Sequence, residues 1–568
     1  MTQALLVRVT ADLSVADGPS YEELGINLRA MVHTINTRYM QPQMPAIESV
    51  WSTVRTDAET FVSEQLRTLL AIPGDPGDQL DSSGSSDTSK NSGTSVTPGE
   101  SEPKRSLFSR LFGTKQPSHT NRSKSLGNTE FSTHSLIQED RELVAIAQWQ
   151  ERLKNCDDAL EAACLNALIK TIGAIMGHRG RVMSDRSLIT KITVNQVCNG
   201  HGADAIDTFI EPLWQNAIKK EGYRLLPAQA KPVVMNVKGA SASGKSTIRP
   251  QQRQLADKLG IAWEDFALIS PDYWRKYLLD YSSLGDDYKY GAMLTGRELE
   301  LIDKKLDRYM AVKAGSGHMS HLLIDRFRFD SFIVDQGSTS DSKLLSRFGD
   351  RVYLFFMVTH PAETVSRAWT RGLKTGRYKA VDDLLHHNVE AFTGMPSLFL
   401  SWINLKDKQI HFEFLDNDVP EGELPRTVAL GSNHSMTVLD INLLLNIDRY
   451  RKVRIDAKQA SEIFDSSDLE ASTNTEFIVR CAETVSEIVF ADQVSGAVYA
   501  RVHGGKLIWW DNDYIQSHAD SALLCDVLAA LGYNGEHKEM HQVNQSDLLI
   551  DMVAEKRVTV GHWGYVDS

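Results

Sequence analysis

Val233-Val234-Met235-Asn236-Val237-Lys238 runs directly into Gly239-Ala240-Ser241-Ala242-Ser243-Gly244-Lys245-Ser246-Thr247, and no other stretch constrains the fold as tightly. The first six residues form an apolar, β-branched run of the buried-strand type. From Gly239 to Ser246 the chain satisfies G-x-x-x-x-G-K-[ST] at every fixed position. A triphosphate needs convergent backbone N–H donors, and glycine lets the chain turn tightly enough to supply them. Lys245 can reach the β- and γ-phosphates, and the Ser246 hydroxyl can ligate Mg²⁺. A helix predicted over 251–258 would offer its positive N-terminal end. Gly239, Ala240, Ser241, Ala242, Ser243, Gly244, Lys245, Ser246 and Thr247 are therefore the expected nucleotide-binding residues. Pro250, within the first two turns, is expected to cost that helix a hydrogen bond or bend its start.

Outward from this loop the pattern is strand–helix–strand. Short apolar runs at 267–270, 321–325, 351–359 and 410–415 alternate with segments of helical periodicity, which predicts a parallel sheet covered on both faces. The first of these runs ends in Ser270-Pro271-Asp272-Tyr273-Trp274-Arg275, placing Asp272 at a strand's C-terminal edge, where open α/β sheets bind ligands. A carboxylate there can accept a proton from an attacking hydroxyl; it can equally cap the next helix. Leu322-Leu323-Ile324-Asp325 is an apolar strand ending in an acid, a candidate Mg²⁺ ligand. It is followed by Arg328, which can bind substrate phosphate or form a structural ion pair. Beyond the 351–359 strand come Arg367 and Arg371, four apart on one helix face, then Lys374, Arg377 and Lys379 on a glycine-bearing segment. Several cations on one stretch of an acidic chain suit a lid that stabilises transition-state charge. A solvated basic helix is the plainer alternative.

These residues resemble the zeta-toxin-like branch of P-loop kinases over roughly residues 230–420, through G-A-S-A-S-G-K-S, I-S-P-D-Y-W-R, L-I-D-R-F-R-F-D and R-x-x-x-R-x-x-x-x-x-R. The resemblance implies an ATP- and Mg²⁺-dependent kinase acting on a hydroxyl of a nucleotide-like metabolite, of the UDP-N-acetylglucosamine or NAD type. Carried over by position, Asp272 would be the general base and Lys245 the phosphate ligand. Arg367, Arg371 and Arg377 would be lid cations, Ser246 and Asp325 the metal ligands, and Arg275 and Arg328 substrate-binding residues. The long stretch 275–318, with Tyr281, Tyr288 and Tyr290, departs from the family and points to a remodelled pocket. A P-loop ATPase acting as a nucleotide-dependent switch, or as a regulatory interaction protein, is the alternative reading.

At 568 residues the chain is too long for one core. The organisation expected is a mostly helical region 1–73 with a β-like start at 4–9, a Ser/Gly/Pro-rich disordered linker 74–134 and a helical domain 135–229. The P-loop kinase domain follows at 230–427, then a separate C-terminal α+β module at 428–568 with a hairpin turning at Gly504-Gly505. Within the linker, Lys104-Arg105-Ser106-Leu107-Phe108-Ser109-Arg110-Leu111-Phe112 is basic and amphipathic, a docking segment or a patch without a role. His201, between two glycines, reads as a turn residue. The net charge of -13 argues against a dedicated nucleic-acid binder. Five cysteines without a C-x-x-C pair argue against a disulfide framework or zinc site. Neither a signal peptide nor a membrane span is expected, so the chain reads as cytoplasmic where it works. Delivery into a host cell as a bacterial effector is compatible with that.

Overall fold

The computed structural model describes residues 1–17, 21–70, 141–182, 185–279, 283–287, 291, 294–325, 345–375, 378–517, 522–533 and 549–564. The expected linker, its basic segment, Arg328, Arg377, Tyr281, Tyr288 and Tyr290 lie outside them. The chain divides into two compact units, one formed by residue 1 with 40–213, the other by 2–39 with 214–568. These boundaries differ from those expected from composition, and the cause is where the N-terminal helices bury their apolar faces. Helices α1 (Thr2–Asp12) and α2 (Tyr21–Ile35) belong to the larger unit. The β-like start is therefore corrected to helix. Leu5, Leu6, Val7 and Val9 are all buried, and an apolar run without alternation does not distinguish a strand from an enclosed helix.

The smaller unit is helical. Helices α3 (Met44–Leu70), α4 (Arg141–Lys154), α5 (Ala159–Arg179) and α6 (Arg186–Val197) enclose a core containing Val62, Leu66, Leu165, Leu168 and Ile172. Asp158 caps the start of α5, and Gly180, at φ 75°, ends it. By length and composition α5 could cross a membrane, yet its Leu165, Leu168 and Ile172 lie in this core. His201 sits in the helical turn Cys198–Gly202, which leads into α7 (Ala203–Glu221).

The larger unit is built on a mixed sheet of ten strands in the order β10-β9-β8-β7-β6-β5-β4-β1-β3-β2. The five expected strands form its parallel part: β1 (Val233–Gly239), β2 (Phe266–Ile269), β3 (His321–Asp325), β4 (Arg351–Val358) and β5 (Gln409–Asp416). Every residue of β1 is buried, which is why it reads as a continuous apolar run. The connecting helices are α8 (Arg249–Lys258), α9 (Pro271–Leu278), α10 (Gly296–Gly315), α11 (Pro361–Thr375) and α12 (Val381–Ile403).

The C-terminal strands do not form a separate module. Strand β6 (Arg426–Ser432) pairs antiparallel with β5, and β7 (Ser435–Val438), β8 (Glu487–Ala491), β9 (Val498–His503) and β10 (Lys506–Trp510) continue the same sheet. The wholly parallel sheet expected is thus a mixed one. The change from strand–helix alternation to hairpins marks a change of pairing direction, not a new core. The β9–β10 hairpin turns at Gly504 (φ 55°) and Gly505 (φ 80°), as its sequence predicts.

Candidate functional site

Because β1 to β5 are parallel, their C-terminal ends share one edge, and β1 lies between β3 and β4. The glycine-framed loop leaves β1 there. Gly239 pairs with Met357 of β4, and a Cβ at Gly239 would stand 2.6 Å from Ser243 Oγ. Gly244 lies at φ 88°, and a Cβ on it would collide with Asn417 Nδ2. Ala242, at φ 63°, is the one non-glycine residue with positive φ among the described residues, a conformation costing an L-residue about 1–2 kcal/mol. The carbonyl of Ser243 is gripped twice, by Thr359 Oγ1 at 3.0 Å and Asn417 Nδ2 at 2.9 Å. These donors extend from the ends of β4 and β5, so the loop's shape is fixed from the sheet beneath it. Lys245 Nζ curls back to donate to the carbonyls of Gly239 and Ala240 at 3.1 and 2.8 Å.

Pro250 does not cost the following helix a bond. A single 3₁₀ turn, Lys245–Ile248, comes first, and Pro250 falls at the opening of α8, where no intrahelical acceptor exists for its missing N–H. Ser246 lies in that turn, half-buried, and Thr247 Oγ1 bonds the Gly244 carbonyl at 2.7 Å.

Two carboxylates face the loop. Asp325 ends β3 opposite Val237; burial raises its pKa, Lys245 counters the shift and Asp272 adds to it. Burial lowers the pKa of Lys245, which Asp325 and Asp272 oppose and Arg371 reinforces. Lys245, Asp272 and Asp325 are therefore within electrostatic reach of one another. Ser270, not Asp272, is the N-cap of α9. Asp272 stands one residue inside, and Arg275 Nη1 meets its Oδ1 at 2.8 Å, while Arg275 Nε donates to Thr295 Oγ1 at 3.0 Å. Arg275, expected to bind substrate, thus also holds the candidate base.

The two arginines of α11 do different work. Arg367 meets Glu363 at 2.8 Å and donates to the carbonyls of Asn417 and Val419 at 2.8 and 3.0 Å, fastening the segment after β5. Arg371, one turn on, is close enough to Lys245 to lower its proton affinity. Their shared face, read from four-residue spacing, does not give them a shared target. The residues that sequence reasoning missed are Thr359, Asn417 and His387. The first two end strands in ordinary polar residues, and the last depends on a tertiary contact with Lys379, near both Nδ1 and, at 3.3 Å, Nε2.

The donors suit Mg²⁺. The Ser246 hydroxyl and the enclosed Asp325 carboxylate are hard oxygens, and Mg²⁺ commonly takes one or two such ligands beside phosphate and water. Among the described residues no group of three or more His, Cys, Asp and Glu side chains forms an all-protein cage.

Comparison with protein-family models, with curated proteins and with solved structures finds no match to this chain.

Proposed function

We propose that the chain is an ATP- and Mg²⁺-dependent kinase that transfers the γ-phosphoryl group to a hydroxyl of a nucleotide-like small molecule, of the UDP-N-acetylglucosamine or NAD type implied by its zeta-toxin-like motifs. One observation carries the reading: a strained phosphate loop, Lys245, Asp272 and Asp325 converge on a single sheet edge. A scaffold has no use for a lysine enclosed between two acids beneath such a loop. The loop amides and Lys245 bind the triphosphate. Asp272, oriented by Arg275, accepts the proton of the acceptor hydroxyl as its oxygen bonds to the γ-phosphorus. The bond from that phosphorus to the β–γ bridging oxygen breaks, and ADP leaves with the electron pair. Arg371 and Lys245 offset the charge on the transferring group. Ser246 and Asp325 would hold the Mg²⁺, which neutralises charge on the phosphate oxygens when bound. Arg367 acts as a positioning residue by holding the β5 end against the loop.

The test is to incubate the full chain with ATP, Mg²⁺ and a metabolite extract and follow the products by mass spectrometry. A metabolite that gains one phosphate as ADP appears is the expected result. ADP and inorganic phosphate without a phosphorylated metabolite would support the ATPase-switch reading instead.

A further inference from the structure

Lys379 stands just before α12, and its ammonium donates to the ring of His387, two turns into that helix. For the pair to bond, the imidazole must be neutral. Burial, then Lys379, His386 and Lys245, hold His387 down to about 4, so at neutral pH it is an acceptor. The groups around Lys379 come from several elements. Asp383 and His387 lie on α12, Arg371 on α11, Lys245 on the phosphate loop and Arg275 on α9. Among these described neighbours only Asp383 is negative. Burial first, then the three cations, bring Lys379 down to about 8 against the pull of Asp383. A lysine with a purely structural role would lie along an apolar surface with its head in water, or pair with a carboxylate. This one is half-buried and leans on an imidazole, in a cluster whose cations an arriving polyanion would relieve.

We propose that Lys379 is a further phosphate ligand of the nucleotide site, parked on His387 before the triphosphate arrives and passed to it on binding. The proposal rests on the nucleotide reading of the loop at 239–247. It explains why a basic side chain is kept beside other cations, and it gives His387 a definite task. A phosphate beside Lys379 raises its proton affinity, so binding draws in a proton wherever the free lysine has lost its own. ATP affinity is then flat below pH about 8 and falls as pH rises beyond it, approaching tenfold per unit.

The experiment titrates Mg²⁺·ATP into the full chain by calorimetry between pH 7 and 9, in buffers of different ionisation heat. Wild type, Lys379→Met, Lys379→Arg and His387→Leu are compared. Wild type takes up a proton at pH 9. Lys379→Met binds roughly tenfold more weakly at pH 7, the usual worth of one charged hydrogen bond. Lys379→Arg, which cannot lose its charge, binds with near wild-type affinity at pH 7 and without pH dependence. His387→Leu binds at pH 7 no more weakly than wild type, since its loss only frees the lysine. If the proton uptake persists in Lys379→Arg, it belongs to Lys245 and the proposal is wrong. Unchanged affinity of Lys379→Met at pH 7 also overturns it. If wild type binds no ATP, the nucleotide reading itself fails, a result distinct from either of these.

Discussion

At the scale of single residues, Gly244 shows how the loop is specified. Its φ of 88° is one that L side chains rarely adopt, and its missing Cβ leaves room for the Asn417 amide that holds the Ser243 carbonyl. Gly244→Ala should strain the backbone by about 1–2 kcal/mol and push Asn417 off its acceptor. Isothermal titration should show ATP affinity falling by roughly tenfold or more, while melting temperature drops only modestly; unchanged affinity would contradict this account of the loop. Lys245, Asp272 and Asp325 were legible in the sequence because each follows directly from a strand end, and a parallel sheet gathers strand ends at one edge. The grip of Asn417 and Thr359 on Ser243 was not legible, since it joins residues more than a hundred positions apart through two other strands. Arg367 was legible as a cation but not as a backbone clamp. Four-residue spacing fixes a helix face and leaves open what that face meets.

At the scale of elements, the helix carrying Asp272 depends on its neighbours. Helix α9 has eight residues, too few to persist alone. Trp274 anchors it: the side chain is fully buried and its indole N–H donates to Thr10 Oγ1 of α1 at 3.0 Å. Helix α2 packs along α9 as well, so residues far upstream of the phosphate loop set the position of the candidate base. Thr10→Val leaves the indole donor buried without that acceptor, at a cost of about 1–3 kcal/mol. Phosphotransfer kcat should fall several-fold while ATP affinity holds, in a comparison of steady-state rates with direct ATP titration. Equal losses in both would mean that α1 supports the fold and does not position Asp272. None of this brace was legible, because α1 begins as an apolar run that fits a strand equally well. The β9–β10 hairpin was legible because Gly504-Gly505 leaves few other turns open.

At the scale of the whole molecule, the chain's end is stitched to the middle of its sheet. Glu413 of β5 is buried and accepts from Thr427 Oγ1 at 2.6 Å and from the backbone N–H groups of Val560 and Gly561 at 2.8 and 2.9 Å. Burial raises its pKa from 4.5 to about 7, with those three donors working in the opposite direction. A carboxyl that binds its proton more tightly when folded makes the fold lose stability as pH rises from about 4.5 to about 7, and the loss is complete above that window. The contribution is on the order of 3 kcal/mol. Denaturant titrations at pH 5 and pH 8 should show this decline in wild type and a smaller one in Glu413→Gln; equal declines would contradict it. The sequence conveyed an α/β chain with a five-stranded parallel layer but not the extension of that layer into ten strands. The connection after β5 is a hairpin, and local patterning does not tell a hairpin that joins an existing edge from one that starts a new sheet. The central claim is that one sheet edge binds ATP through Lys245 and activates an acceptor through Asp272. It is tested most directly by measuring phosphorylated product and ATP affinity side by side in Lys245→Ala and Asp272→Asn. The account predicts that Lys245→Ala loses both, whereas Asp272→Asn binds ATP within a few-fold of wild type yet forms no phosphorylated metabolite. Undiminished transfer by Asp272→Asn would contradict it.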